Sequence, residues 1–327
     1  MLLVAAFLVC AMDPAQAQPT LPDLLSRVAE EADALQQNAP KSLTLEVLEQ
    51  RALMPPTRFH PRVGKKATAA VQPPRHVVRQ IVSEYSVGTL QDSAVQNLTE
   101  LRQVISVDGR KIQSAEHARH ALSLGIASPD DRTRKRMLED FARHGLVDIA
   151  TDYGIILLAF SKRGLENMKV VFAGEEQVGA DAAWVLNWRQ TSPDAGMLEF
   201  LGNQASRLAL QGRLLVRQSD GLPLRVQLWS EHPQSEHPQD ATSRLLQSWS
   251  EHPQAALNVR DEATVDYVRS AHGFLAPASV LHRHLVDGQV ITENLYRYEP
   301  FKMFSADAAI KFTGLGTPSA PSAPANK

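Results

Sequence analysis

The chain has 327 residues, of which 43% are hydrophobic, so it can hold one large or two medium domains with a packed core. Its 34 basic and 36 acidic side chains give a formal charge of -2. This near balance does not favour nucleic acid as a partner, because a polyanion would require a local basic patch.

Residues 1–17 are typical of a secretory signal peptide. An apolar stretch at 2–9, too short to span a bilayer, precedes Ala15-Gln16-Ala17, a small-x-small cleavage motif. No basic residue precedes that stretch, which leaves a buried N-terminal helix as the alternative. Cleavage would remove Cys10, the single cysteine, and with it any disulfide or thiolate chemistry. We expect a periplasmic or secreted protein with no transmembrane segment in the mature chain.

Residues 18–74 are expected to precede the main domain. The spacing of apolar residues over 21–53 predicts two amphipathic helices, broken near Pro40. Five prolines and several basic residues between positions 55 and 74 predict a basic linker or loosely ordered arm.

The main domain is expected at residues 75–313, and it begins with strand-like alternation at 77–87 and 101–107. A helix is predicted from the cap Ser128-Pro129-Asp130-Asp131 to Gly145, with Met137 and Phe141 on its apolar face. A second helix is predicted over 148–162, and its run at 155–160 is apolar on every side.

Most of the later sequence predicts strands. The segment 212–229 reads as a hairpin with Leu224, Val226 and Leu228 on one face, and Asp287-Gly288 predicts a second hairpin turn. Three copies of Ser-Glu-His-Pro-Gln mark a loop insertion at 229–254. A short strand is expected at 308–312, and residues 314–327 have the composition of a disordered tail. About eleven strands and two inserted helices predict an α+β fold with a large antiparallel sheet.

Several short patches resemble the periplasmic lipoprotein-carrier superfamily, which includes LolA-like and LolB-like proteins and the sensor domain of RseB-type regulators. They are the strand, turn and Gly-Leu-Pro-Leu-Arg of residues 212–225, then Val265-Asp266-Tyr267, Gly273 and Pro277. The order of elements over 75–312 also resembles that family. The resemblance implies a curved antiparallel sheet, an unclosed β-barrel, with helices on its concave side and a cavity for acyl chains.

Six residues are the candidate lining of a hydrophobic site, because ligand sites are concave and mostly apolar. They are Ile155, Leu158, Phe160, Phe172, Trp184 and Trp188. The alternative is ordinary packing of a helix on a sheet, which fills most protein interiors.

Histidines offer the main metal hypothesis. His282 and His284 alternate along a strand, and counting back from Asp287-Gly288 sets His282 across from Glu293, which makes three candidate ligands. A cross-strand ion pair explains the same arrangement. His117 and His120 lack a third ligand, and the repeats at 232, 237 and 252 have the character of duplicated loop sequence. We therefore predict no metal and no other cofactor.

No nucleophile elbow, P-loop, dinucleotide-binding glycine pattern or zinc-protease helix occurs in the sequence. We therefore expect an exported, non-enzymatic protein that binds a lipid, acyl chain or lipoprotein in the concavity of a curved sheet. One alternative is an interaction module of the cell envelope, with a filled core and a protein partner. Another is a hydrolase whose site would show as a buried Ser or Asp paired with a histidine in a cleft.

Overall fold

The computed structural model describes residues 19–54, 74–90, 97–127, 131–147, 152–191, 197–201, 204–208, 210–231 and 258–304. Within these ranges no helix is long and apolar enough to cross a membrane. The predictions for the signal peptide, the linker, most of the repeat-bearing insertion, the strand at 308–312 and the tail lie outside the described residues.

Twelve of the described strands form one antiparallel sheet. They are β1 (Ser42–Met54), β2 (Arg75–Leu90), β3 (Asn97–Val107), β4 (Arg110–Lys111), β5 (Met168–Val178), β6 (Asp181–Gln190), β9 (Gln211–Arg217), β10 (Pro223–Glu231), β11 (Val259–Arg269), β12 (Leu275–Val286), β13 (Gln289–Tyr298) and β14 (Lys302–Met303). A separate hairpin consists of β7 (Met197–Leu201) and β8 (Gln204–Leu208).

The order across the sheet is β4-β3-β2-β1-β13-β12-β11-β10-β9-β6-β5, and β14 also pairs with β1. The two terminal strands, β4 and β5, do not pair with each other, so the curved sheet is unclosed. This arrangement confirms the predicted α+β fold class.

Helices cover parts of both faces. They are α1 (Leu21–Asn38), α2 (Ala115–Ala127), α3 (Asp131–Arg143), α4 (Lys162–Leu165) and two 3-10 helices, Ala39–Lys41 and Ile156–Phe160. The main core lies between the concave face and α1, α3 and the 3-10 helix Ile156–Phe160. By contrast, α2 packs on the outer face, where Arg119 donates to the buried carboxylate of Glu84 at 2.7 Å.

The prediction of a second N-terminal helix is wrong, because residues 42–54 form strand β1 in the middle of the sheet, between β2 and β13. Its concave face carries the polar residues Thr44, Glu46 and Gln50, all buried. The alternation of period two therefore does not show as a hydrophobic pattern. Residues 42–54 are therefore part of the large sheet.

The prediction of one helix over 148–162 is also wrong for the residues that the structure describes. There the chain runs irregularly through 152–155 into the 3-10 helix and then α4. Sheet side chains satisfy backbone groups of this segment, which removes the need for helical hydrogen bonds. The helix that precedes it is confirmed, since α3 ends before Gly145 at a φ of 79°.

Both predicted hairpins are present, but Leu224 lies on the opposite face of the sheet from the one predicted. The turn Asp287-Gly288 has φ values of 50° and 78°, as a type I′ turn requires. In the β9–β10 hairpin the register shifts by one residue at Leu224. This bulge places Leu224 in a small outer cluster with Leu215, whereas Val226 and Leu228 lie in the main core.

Candidate functional site

The concave face has an apolar zone, formed by inward residues of β6, β9 and β10. Its members are buried and belong to one core cluster: Trp184, Leu186, Trp188, Leu214, Val216, Val226 and Leu228. Alternation along each strand places these side chains on one face, because successive residues point to opposite sides of a sheet. The zone continues onto β5, the last strand of the sheet, through Met168, Val170 and Phe172.

The six candidate lining residues lie on or against this zone. Phe160 packs edge-on against Trp188, with ring centroids 5.3 Å apart. The ring of Phe172 lies 5.5 Å from that of Trp184. Ile155 is buried, and Leu158 is half-buried against the same core. The structure therefore brings these residues together in two aromatic pairs, one deep and one near the edge.

Phe172 is the point at which the apolar zone reaches solvent. Its side chain is 52% exposed, although it stands on the concave face opposite Leu186. Its neighbour Val171 is 58% exposed on the outer face, opposite Asn187. The centre of the concave face is thus covered by α1 and the 3-10 helix, whereas the apolar zone is partly exposed at the β5 edge through Phe172.

The opposite half of the concave face is polar and centred on Arg102. Its guanidinium donates to Glu46 at 2.7 Å and to Glu100 at 2.8 Å, with all three side chains buried. It also lies between the rings of Tyr85 and Tyr296, 5.1 and 5.2 Å from their centroids. Burial lowers the pKa of Arg102, but the two carboxylates outweigh that effect and raise the pKa well above its usual range.

The partners of Arg102 show the cost of burying charge. Burial raises the pKa of Glu46, and Arg102 opposes that rise only in part. Burial also raises the pKa of Tyr85 well above its ordinary value, and the nearby Glu100 carboxylate, which accepts from its hydroxyl at 2.9 Å, adds to the rise. The phenol therefore stays protonated and acts as a hydrogen-bond donor.

The histidines His282 and His284 do point to the concave face, but the predicted neighbour Glu293 is wrong. A register shift after His284 sets His282 across from Asn294 and pairs Glu293 with Arg283 on the outer face. Within the described residues, no group of three His, Cys, Asp or Glu side chains is placed to hold a metal ion. His117 and His120 are exposed on α2.

A chain of hydrogen bonds through two side-chain amides determines the tautomer of His282. Gln50 accepts from the Val147 N–H at 3.0 Å, so its Nε2 must donate, and it does so to Asn294 at 2.6 Å. Asn294 then donates to His282 Nδ1 at 3.2 Å, and the Nε2–H of His282 is left to donate to Asp261 at 2.8 Å. His282 is consequently held as the neutral Nε2–H tautomer.

This buried Asp–His pair is the arrangement that a hydrolase would show, but it lacks the means to act as a general base. Asp261 and Asn294 occupy both ring nitrogens of His282. A base needs one nitrogen directed at the proton that it removes. The geometry therefore describes a structural network.

The polar half of the sheet also holds the segment that covers it, residues 152–160, which we call the cover. Glu100 accepts from the Asp152 N–H at 2.7 Å. The Tyr267 hydroxyl accepts from Leu157 N–H and donates to the carbonyl of Gly154, both at 3.1 Å. The ring of Tyr153 stacks on His282 at 5.1 Å.

Sequence reasoning singled out His282 and His284 but missed the buried charges of the polar half. The inward positions of two strands carry buried polar side chains at every second or fourth residue: Glu46 and Gln50 on β1, and Glu100 and Arg102 on β3. Period-two spacing of Glu100, Arg102 and Val104 was a usable signal. Charged residues are ordinarily assigned to the solvent face, so this spacing would have predicted an exposed face where the structure has a buried one.

No protein-family model matches the sequence, and no curated protein is similar enough to count as a relative. Nine solved chains match this chain in structure. A DUF1329 family protein from Desulfovibrio piger has 10% identity and a TM-score of 0.36, and the match covers 89% of this chain and 99% of that one.

An outer membrane lipoprotein-sorting protein domain from Vibrio parahaemolyticus has 10% identity and a TM-score of 0.33, with 88% of this chain and 97% of that one covered. A LolA superfamily protein from Nitrosomonas europaea has 11% identity and a TM-score of 0.30, with 88% of this chain and 96% of that one covered.

Proposed function

We propose that the protein is an exported, non-enzymatic carrier that binds an apolar ligand, such as a lipid, an acyl chain or the lipid of a lipoprotein, against the apolar zone. The observation that carries this proposal is the continuity of that zone from buried Trp188 to half-exposed Phe172 at the open edge of the sheet. The signal-like residues 1–17 support export.

The physical basis is the burial of apolar surface. Covering about 300 Å² of it contributes about 7 kcal/mol at roughly 25 cal/mol per Å², before the costs of immobilising the ligand. The exposed ring of Phe172 on the edge strand is a favourable surface for a ligand, because Trp184 already packs against one side of the ring. A chain-like ligand suits a zone that runs across four adjacent strands, β5, β6, β9 and β10.

The test is binding of the neutral fluorescent probe N-phenyl-1-naphthylamine to the delipidated protein. We expect saturable enhancement of probe fluorescence and at least tenfold weaker binding by Phe172→Asp. The matched control is Val171→Asp, since Val171 is the adjacent residue, is similarly exposed and faces the other side of β5. Equal loss in both variants, or no binding by the native protein, would exclude the apolar zone as the site.

The competing function is an interaction module of the cell envelope with a filled core. It is favoured by the packing of the cover, in which Leu157 and Phe160 have no exposed surface. A protein that binds no probe, copurifies with no lipid and retains a defined envelope partner would establish this alternative and remove the carrier.

A further inference from the structure

Two indole N–H groups on the apolar zone are buried without a hydrogen-bond acceptor. Trp184 is 8% exposed and Trp188 is 2% exposed, and in the part of the chain that the structure describes neither Nε1 atom has a partner. Buried tryptophan N–H groups ordinarily find an acceptor, because an unmade hydrogen bond in apolar surroundings is costly. Two such donors on one face of one strand are placed to bond an acceptor that a ligand supplies.

We propose that Trp184, with Trp188 deeper in the same zone, donates an indole hydrogen bond to a neutral carbonyl oxygen on the ligand. The protein then selects chains that bear an ester or amide over plain hydrocarbons. This inference rests on the proposed function, because it assigns hydrogen bonds to a ligand held by the apolar zone. It makes the two tryptophans determinants of specificity in addition to being apolar lining.

The positions of the two donors set the order in which a ligand meets them. They stand four residues apart on β6, so their Cα atoms are about 13 Å apart along the strand. Trp184 packs against Phe172 at the open edge, whereas Trp188 packs against buried Phe160. A chain that enters beside Phe172 passes Trp184 first, and the carbonyl closest to its head group is bound there.

Access to Trp184 requires only a small movement. Both indole nitrogens are buried in the structure. The ring of Phe172 is half-exposed on the terminal strand of the sheet, and its centroid lies 5.5 Å from that of Trp184. Rotamer changes of exposed side chains take place within nanoseconds, so Phe172 can swing away without disturbing the core.

A nearby charge distinguishes neutral carbonyls from carboxylates. Glu175 stands directly across from Trp184 in the β5–β6 register and therefore shares its face of the sheet. A carboxylate head group would be repelled by Glu175, whereas the carbonyl of an ester or amide accepts the indole hydrogen bond without a charge. The structure thus favours the neutral acyl derivative over the free acid.

The experiment is displacement of N-phenyl-1-naphthylamine by methyl decanoate, n-dodecane and decanoic acid, which are chains of similar length. We expect methyl decanoate to compete about fivefold better than the alkane, the factor that one net hydrogen bond provides. We also expect it to compete better than the acid. Equal competition by ester and alkane would overturn the inference, and stronger competition by the acid would overturn the choice of a neutral carbonyl.

Variants assign the selectivity to the indoles. Trp184→Phe should reduce the ratio of ester to alkane affinity to about one, whatever it does to apolar binding. The matched control is Trp229→Phe, since Trp229 lies on the outer face under Arg260 and should leave the ratio unchanged. A ratio that survives both Trp184→Phe and Trp188→Phe would refute the assignment. Absence of any probe binding would instead refute the proposed function.

Nuclear magnetic resonance gives a readout that packing alone would not move. The chain has four tryptophans, so its indole N–H signals can be assigned by single Trp→Phe replacements. Methyl decanoate should shift the Trp184 indole proton downfield, as a new hydrogen bond requires, and n-dodecane should not. Identical shifts with both chains would contradict the proposal.

Discussion

Replacing Arg102 by Met should be among the most destabilising single changes in this protein. The native guanidinium is buried between two tyrosine rings and bonds Glu46 and Glu100 at 2.7 and 2.8 Å. The variant keeps much of the volume but leaves two carboxylates buried without their cation. Breaking a buried ion pair costs about 3–5 kcal/mol, and the lost cation–π contacts add about 1 kcal/mol.

A loss of about 4–6 kcal/mol approaches the whole stability of many domains, so urea unfolding followed by circular dichroism should show a large fall in midpoint. The matched control is Arg283→Met. Arg283 donates to Glu293 at the same 2.7 Å, but their side chains are 42% and 34% exposed on the outer face. That change should cost less than about 1 kcal/mol. Where Arg102→Met fails to fold, Arg102→Lys, which keeps the charge but loses the bidentate fork, should fold with an intermediate loss.

The destabilisation should also depend on pH in a defined direction. Burial already raises the pKa of Glu46, and removal of Arg102 takes away the group that opposes the rise. Protonation at low pH then neutralises the uncompensated charge, so the penalty of Arg102→Met should shrink as the pH falls. A penalty equal to that of Arg283→Met, or one independent of pH between about 4 and 8, would refute the account of the buried cluster.

Three further predictions follow from the polar half of the concave face. In the native protein the pKa of Glu46 is raised, so the folded state holds this proton more firmly than the unfolded chain. The free energy of unfolding should therefore fall as the pH rises above 4.5. The variant Glu46→Gln should flatten this slope in urea titrations. Gly154→Ala should cost about 1–3 kcal/mol in thermal unfolding, because the new Cβ would lie 2.5 Å from a Glu100 oxygen. Long-range ¹⁵N spectra should show His282 as the Nε2–H tautomer, and Gln50→Leu should abolish that preference.

Much of the sheet could be predicted from its sequence because most strands follow the ordinary rule that the buried face is apolar. The β12–β13 hairpin and the termination of α3 at Gly145 depend on local turn chemistry, which the sequence displays directly. The pairing of Phe160 with Trp188 required only that an apolar segment meet an apolar strand face. Local rules and burial agree at these positions.

Prediction failed where the buried face is polar or where the register shifts. β1 turns Thr44, Glu46 and Gln50 inward, so its hydrophobic spacing imitates a helix. One extra residue in β10 moved Leu224 to the outer face, and a similar shift in the β12–β13 pair replaced Glu293 by Asn294 as the partner of His282. A bulge leaves no signature in alternation until both strands are paired, because the shift is defined by the partner.

The division of the concave face into two halves determines where a ligand can enter. The cover is fixed to the polar half by Glu100, Tyr267 and the stack of Tyr153 on His282, and lifting it there would leave several buried groups without partners. Over the apolar half the chain is held by aromatic packing, and at β5 the half-exposed ring of Phe172 lies beside Trp184 at the edge of the sheet. Separation of apolar surfaces breaks no hydrogen bond, and a ligand that re-covers the surface restores what was lost. Entry beside Phe172 is therefore favoured over a general opening of the barrel. Mutations that loosen the polar anchors should have a large effect on the free energy of unfolding and only a small effect on the rate of probe binding.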